Sequence, residues 1–229
     1  MFGREKVTAL VAEFLGVAIL TSAVLSIVLS QIPFSLFTAT AAGVTLGLLV
    51  LAIGPISGAH VNPAVTLGLW TIRKVETTKA VVYIAAQVLG GIAAWQLNEY
   101  LWNTPLDKSV KLSDWDWRIF IAEAIGTFVF TFGIAAAVKK GYEGLQLAVT
   151  IGGSLFLGVM IASGASAAVL NPAVAIGVQS HGTPYLLGPI LGSVVGMNLY
   201  IMLSGAENTK KPALTRILSK AKNTSKKKR

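Results

Sequence analysis

The chain has 229 residues, 54% of them hydrophobic and 13% charged, with no cysteine and a net charge of +9. So high an apolar content exceeds what a soluble core needs and describes a chain dissolved mostly in lipid. The lack of cysteine excludes disulfide staples, thiolate metal sites and cysteine nucleophiles.

Crossing a hydrocarbon core of ~30 Å takes about 20 apolar residues. By that measure the sequence predicts spanning helices near 7–29, 36–54, 79–102, 117–138, 145–163 and 184–204. The first run is longer than a signal-peptide core and carries Glu13, so it reads as a retained span. Between the second and third spans lies Asn62 to Ile72, and between the fifth and sixth lies Asn171 to Gln179. At ~1.5 Å per residue each covers only about half of the slab. Each opens on Asn-Pro-Ala, as Asn62-Pro63-Ala64 and Asn171-Pro172-Ala173. Asn is a favoured helix N-cap and proline suits the first helical position, so both tripeptides are expected to start half-helices inside the membrane. Non-helical backbone at that depth survives only where protein buries it or water lines it, so the loops entering the half-helices must face a cavity.

Arg4, Lys6, Arg73, Lys74, Lys79, Lys139, Lys140 and the nine basic residues after Asn208 fall on one side of these six spans, against Lys108, Lys111 and Arg118 on the other. Such a bias places both termini in the cytoplasm and assigns the net charge to membrane topology, with no nucleic-acid partner. Residues 206–229 then form a basic cytoplasmic tail that serves as an orientation signal. A sharper reading is a short helix on anionic lipid, with Ala213, Leu214, Ile217, Leu218 and Ala221 on one face beside Arg216, Lys220 and Lys222.

The chain is also a duplication. Ala12-Glu13 with Gly16 and Thr21 recurs as Ala122-Glu123 with Gly126 and Thr131, and Ser57 to Gly68 returns as Ser166 to Gly177. Repeat one, about 5–103, and repeat two, about 115–205, belong to a single channel domain. Each holds three spans, and an odd number forces the copies to enter the membrane from opposite sides. The expected fold is an all-α membrane protein, with six transmembrane helices plus two re-entrant half-helices in two inverted repeats. The half-helices should meet, Asn to Asn, near the bilayer midplane.

At such a junction Asn62 and Asn171 can each offer amide hydrogens to a passing oxygen, while both helix ends place partial positive charge beside it. Water held by two fixed donors points its own protons away along the passage, which interrupts proton hopping, and the positive ends raise the energy of any cation. Glu13 and Glu123 would cost about 2.5–3.5 kcal/mol each if unpaired at the membrane centre, so they require partners. One role is an acceptor for backbone amides of the half-helix loops; the other is a proton relay in a coupled transporter. The lack of intramembrane Lys or Arg favours the acceptor role. His60 and His181 lie in different repeats with no acid or thiol at ligand spacing, so neither a metal nor another cofactor is expected. His60 is read as a brace for its loop, placed at the passage together with Ala64 and Ala173, and His181 falls in an outer loop region. Gly43 with Gly47, and Gly188, Gly192 and Gly196, are spaced four apart and predict close helix crossings.

The paired Asn-Pro-Ala motifs, the run from Ser57 to Val65, Gln87 with Gly90 and Gly91, the acid in the first span of each repeat, and His181 followed by Tyr185 to Pro189 resemble the aquaporin and aquaglyceroporin channels. The resemblance covers roughly residues 5–205. It implies a right-handed bundle around one pore per subunit, a homotetramer in the cell membrane, and passive flow of water and small neutral solutes. It also implies a scaffold role for Glu13 and Glu123. One departure stands out: most of the family has Arg directly after the second Asn-Pro-Ala, and this chain has Val174. Carrying the other three filter positions over by spacing gives Ala42, Val159 and Ala168. All four are small and apolar, so the outer mouth should be wide and poor in donors, admitting glycerol, urea or ammonia with water. The Asp that marks glycerol specialists is Ala175 here.

Two other classes stay open at this point. An ion-coupled secondary transporter also uses inverted repeats with broken helices. An intramembrane serine protease is suggested by Gly164-Ala165-Ser166-Ala167 with His181 downstream, although Ser166 is merely the copy of Ser57.

Overall fold

The computed structural model describes residues 3–30, 35–106, 115–180 and 182–207, so the expectations placed on His181 and on the tail beyond Glu207 lie outside the described residues. Eight helices follow in order: α1 (Arg4–Leu29), α2 (Ser35–Ser57), α3 (Pro63–Thr71), α4 (Thr77–Trp102), α5 (Trp117–Lys140), α6 (Gly144–Ala162), α7 (Pro172–Gly177) and α8 (Thr183–Glu207). Six of them are long and apolar enough to cross a membrane. The chain is an all-helical, multi-pass membrane protein, and no strand occurs among the described residues.

Its surface is inverted relative to a protein in water. Val44, Leu48, Val81, Leu101, Val149 and Met202 are more than half exposed, whereas Glu13, Gln87, Glu123, Asn62 and Asn171 are buried. Lipid tails gain nothing from hiding leucine, so helix association must come from close van der Waals packing. Small residues provide it. A Cβ added at Gly152 would strike the Gly43 carbonyl where α2 crosses α6, and one at Gly192 would strike the Ala124 carbonyl where α5 crosses α8. A Cβ at Gly90 would meet the Phe14 carbonyl between α1 and α4. The half-helices are seated in the same way: Gly91 of α4 lies against the Ala173 carbonyl at the start of α7, and Gly68 of α3 lies against Ser193 and Met197 of α8.

Two helix ends differ from the sequence expectation. Helix α2 runs through Pro55 to Ser57, past residue 54, and Gly58 N–H closes the last turn on the Gly54 carbonyl at 2.9 Å. Proline removes its own donor, but near a helix end the chain still completes the turn. Half-helix α7 stops at Gly177, short of Gln179, because Gln179 takes the left-handed conformation (φ 61°) and turns the chain back toward α8. It is 6 residues long against 9 in α3.

Candidate functional site

Two short loops, Gly58–Val61 and Ala167–Leu170, lead into the half-helices and share one backbone pattern. Ala59 and Val61 have positive φ (49° and 42°), and so do Ala168 and Leu170 (52° and 54°). For side chains of this bulk the left-handed region costs on the order of 1–3 kcal/mol per residue and persists only where neighbours over-determine it.

The neighbours are the two membrane acids. Glu13 Oε1 accepts from Ser57 Oγ (2.7 Å) and His60 N–H (3.0 Å), and its Oε2 accepts from Val61 N–H (2.7 Å) and Gln87 Nε2 (2.7 Å). Glu123 repeats the pattern, taking Ser166 Oγ (2.9 Å) and Val169 N–H (3.0 Å) on Oε1 and Leu170 N–H (2.7 Å) on Oε2. Ser57 and Ser166 also accept from the amides of Ala59 (3.0 Å) and Ala168 (2.9 Å). With no cis bond among the described residues, each planar peptide points its carbonyl opposite its N–H. The carbonyls of Ala59, His60, Ala168 and Val169 therefore turn away from the acids, on the side where these loops line a cavity. Helical backbone could not present successive carbonyls sideways in this manner, which gives the strain a structural reason.

The two asparagines join the halves. Asn62 Oδ1 accepts from the Ala64 (2.8 Å) and Val65 (3.5 Å) amides, and Asn171 Oδ1 from those of Ala173 (3.0 Å) and Val174 (3.4 Å), each capping its own half-helix. Pro63 and Pro172 occupy the first helical position behind them. Each Nδ2 then donates across the repeats, Asn62 to the Leu170 carbonyl and Asn171 to the Val61 carbonyl, both at 2.9 Å. A primary amide carries two hydrogens, so after these bonds each asparagine keeps a second one. Both residues line the cavity.

That cavity has a volume of about 270 Å³. The four filter positions carried over by spacing, Ala42, Val159, Ala168 and Val174, all lie on its wall, as does His60. Ala64 and Ala173 do not: they are fully buried in the first turn of their half-helices, and their amides serve the asparagine caps. Sequence reading passed over Leu20, Leu46, Phe130 and Leu155, which form the apolar wall, and Thr38 and Ser180, which add hydroxyls. Helical spacing held the signal, since Leu46 lies four after Ala42, Leu155 lies four before Val159, and Leu20 and Phe130 follow Glu13 and Glu123 by seven residues, two helical turns.

The two halves are not equal behind their loops. His60 Nδ1 lies 3.2 Å from Thr66 Oγ1, and its ring meets Tyr83 edge-on with centroids 5.2 Å apart. Gln87 Nε2 bridges Glu13 and Thr66 Oγ1 (3.0 Å), and the Tyr83 hydroxyl donates to the Ser57 carbonyl (2.8 Å). Aligning the copies, with Tyr83 paired to Tyr185 and Gly90 to Gly192, puts Val169, Ala175 and Pro189 where repeat one has His60, Thr66 and Gln87. In repeat two only Tyr185 is comparable, its hydroxyl accepting from Ala167 N–H at 3.1 Å.

Six spans, two opposed half-helices and a lined cavity at their junction define a multi-pass membrane channel. Residues 3–200 match the pattern of the family described as "Major intrinsic protein", with a second match over 108–226. Relatives include Nodulin-26 of Glycine max, 31% identical over 83% of this chain and 76% of its own length. Aquaporin-5 of Rattus norvegicus is 30% identical over 85% and 80%. Aquaporin AqpM of Methanothermobacter marburgensis is 29% identical over 68% and 71%. The aquaglyceroporin structure from Plasmodium falciparum superimposes with a TM-score of 0.71 at 23% identity, covering 85% of this chain and 95% of that one, a likeness of fold. The chain belongs to the major intrinsic protein family.

Proposed function

We propose that this chain is a passive channel for water together with small neutral solutes such as glycerol, urea or ammonia, and that it is not an enzyme. The observation that carries the reading is the exchange of asparagine amides between the repeats at the edge of a cavity with one apolar wall. A solute there meets fixed donors from Asn62 and Asn171 for its oxygen and carbonyl acceptors from both loops for its O–H or N–H groups, opposite hydrocarbon that offers it nothing. Cations face two helix starts and, among the described residues, no acid on the cavity wall, since Glu13 and Glu123 are spent on the loops behind it.

The outer filter, with Val174 where an Arg is usual, holds no charge, so solute exclusion there is weak and the Asn pair supplies the proton and cation barrier. Ser166 is occupied as a loop staple between Glu123 and the Ala168 amide, the position Ser57 fills in repeat one, which leaves it no nucleophilic role. The chain works as one channel domain of two repeats, assembled as a homotetramer in the cell membrane with both termini cytoplasmic. Stopped-flow light scattering on proteoliposomes tests the reading. Fast water, urea and glycerol flux, non-saturating and independent of ion gradients, is expected. Solute flux at the empty-liposome rate removes the wide filter, and saturable flux driven by an ion gradient replaces the channel with a transporter.

A further inference from the structure

We infer that size selection in this chain takes place at an apolar ring of Leu20, Leu46, Phe130 and Leu155, with Phe130 setting the bore, and not at the outer filter. The inference rests on the channel reading above and assigns its specificity to residues outside the carried-over filter.

All four side chains line the same cavity as Asn62 and Asn171. Six alternating spans put both termini on one face, so α2 runs toward that face and α6 away from it. Leu46 therefore lies deeper than Ala42, and Leu155 deeper than Val159. Four residues of helix amount to about 6 Å, one turn inside the outer filter. On the other two walls Leu20 and Phe130 occupy equivalent positions of the two repeats, each two turns beyond its membrane acid and on the same helix face. The outer ring is built of two alanines and two valines. The inner one is built of three leucines and a phenylalanine.

Narrowing therefore falls where the bulk is. All four ring residues are 2–4% exposed although they line the cavity, so the wall is packed tightly behind them, and Phe130 carries the largest side chain of the four. Its repeat counterpart is the smaller Leu20, which makes the ring lopsided toward α5. Across from it stand the Asn donors and loop carbonyls. A solute at this level must turn its hydrogen-bonding atoms to one side and a thin hydrocarbon edge to the other. Linear polyols and urea-like amides meet that condition, and branched or cyclic solutes of similar polarity do not.

Proteoliposome flux of water, urea, glycerol and erythritol through the full chain tests this. Phe130→Ala should raise the glycerol-to-water and erythritol-to-water permeability ratios several-fold. Phe130→Leu, which copies the residue already tolerated at Leu20 and protects the test against misfolding, should raise them less. Val159→Ala, which widens the outer ring alone, should change them least. Ratios that stay at the wild-type value in both Phe130 variants while water still flows overturn the inference, as does a larger rise in Val159→Ala. A wild-type protein that passes no water is a different result, and it removes the channel reading itself.

Discussion

Replacing Glu13 by Gln changes one oxygen into an NH₂ group and asks how the first loop is held. If the NH₂ takes the Oε2 position, the Val61 amide, at 2.7 Å, loses its acceptor, and Gln87 must rotate its own amide and abandon Thr66. If it takes the Oε1 position, the His60 amide loses its acceptor, while the Ser57 hydroxyl can reverse. Either way one buried N–H of a left-handed loop is orphaned, at about 1–3 kcal/mol, and the remaining bonds fall from charge-assisted to neutral strength. The sum is about 3–5 kcal/mol, a large part of a typical stability of ~5–15 kcal/mol. The unfolding temperature in detergent and water flux in proteoliposomes should both fall. Glu123→Gln should be milder, because its Oε2 holds only the Leu170 amide among the described residues and no glutamine stands behind it. Wild-type unfolding and flux in Glu13→Gln would refute the acceptor role.

Val174→Arg introduces a guanidinium into the cavity and should cut glycerol and urea flux more than water flux; equal losses, or none, would move the outer constriction elsewhere. Asn171→Asp turns a donor facing the Val61 carbonyl into an acceptor, and proton leak read by a pH-sensitive dye inside liposomes should rise; an unchanged leak contradicts the Asn barrier. Gly152→Val drives a Cβ into the Gly43 carbonyl and should cost about 1–3 kcal/mol, seen as a lower unfolding temperature and reduced yield. Ser57→Ala and Ser166→Ala each remove one staple between an acid and a loop amide, and should lower thermal stability by similar amounts, about 1–2 kcal/mol; only Ser166→Ala changing a hydrolytic activity would restore a catalytic reading.

The six spans and both half-helix starts were legible because hydrophobic length and the Asn-Pro pair act locally. The partners of Glu13 and Glu123 were legible as a class, backbone amides, since a membrane acid must be satisfied and no intramembrane Lys or Arg exists to satisfy it. Which amides they were depended on left-handed backbone at Ala59, Val61, Ala168 and Leu170, which no propensity favours for these side chains. Likewise the end of α7 depends on Gln179, an ordinary helix former bent to another shape by the path to α8. The cavity wall was missed for a different reason. Leu20, Leu46, Phe130 and Leu155 sit among many leucines and phenylalanines with identical propensities, and only their helical spacing from Ala42, Val159 and the two acids separates them from the lipid-facing ones.

The exchange of amide bonds between Asn62 and the Leu170 carbonyl spans 108 residues of chain, and that between Asn171 and the Val61 carbonyl spans 110. During synthesis the first half can fasten its loop to Glu13 and Gln87 unaided, yet Asn62 and Val61 must wait in the bilayer, unmatched, until the second half has been inserted. Biogenesis is thereby tied to delivery of the whole tandem: a nascent chain released after its third span is a half-clasp, and the latch that makes it native arrives only with the last two helices.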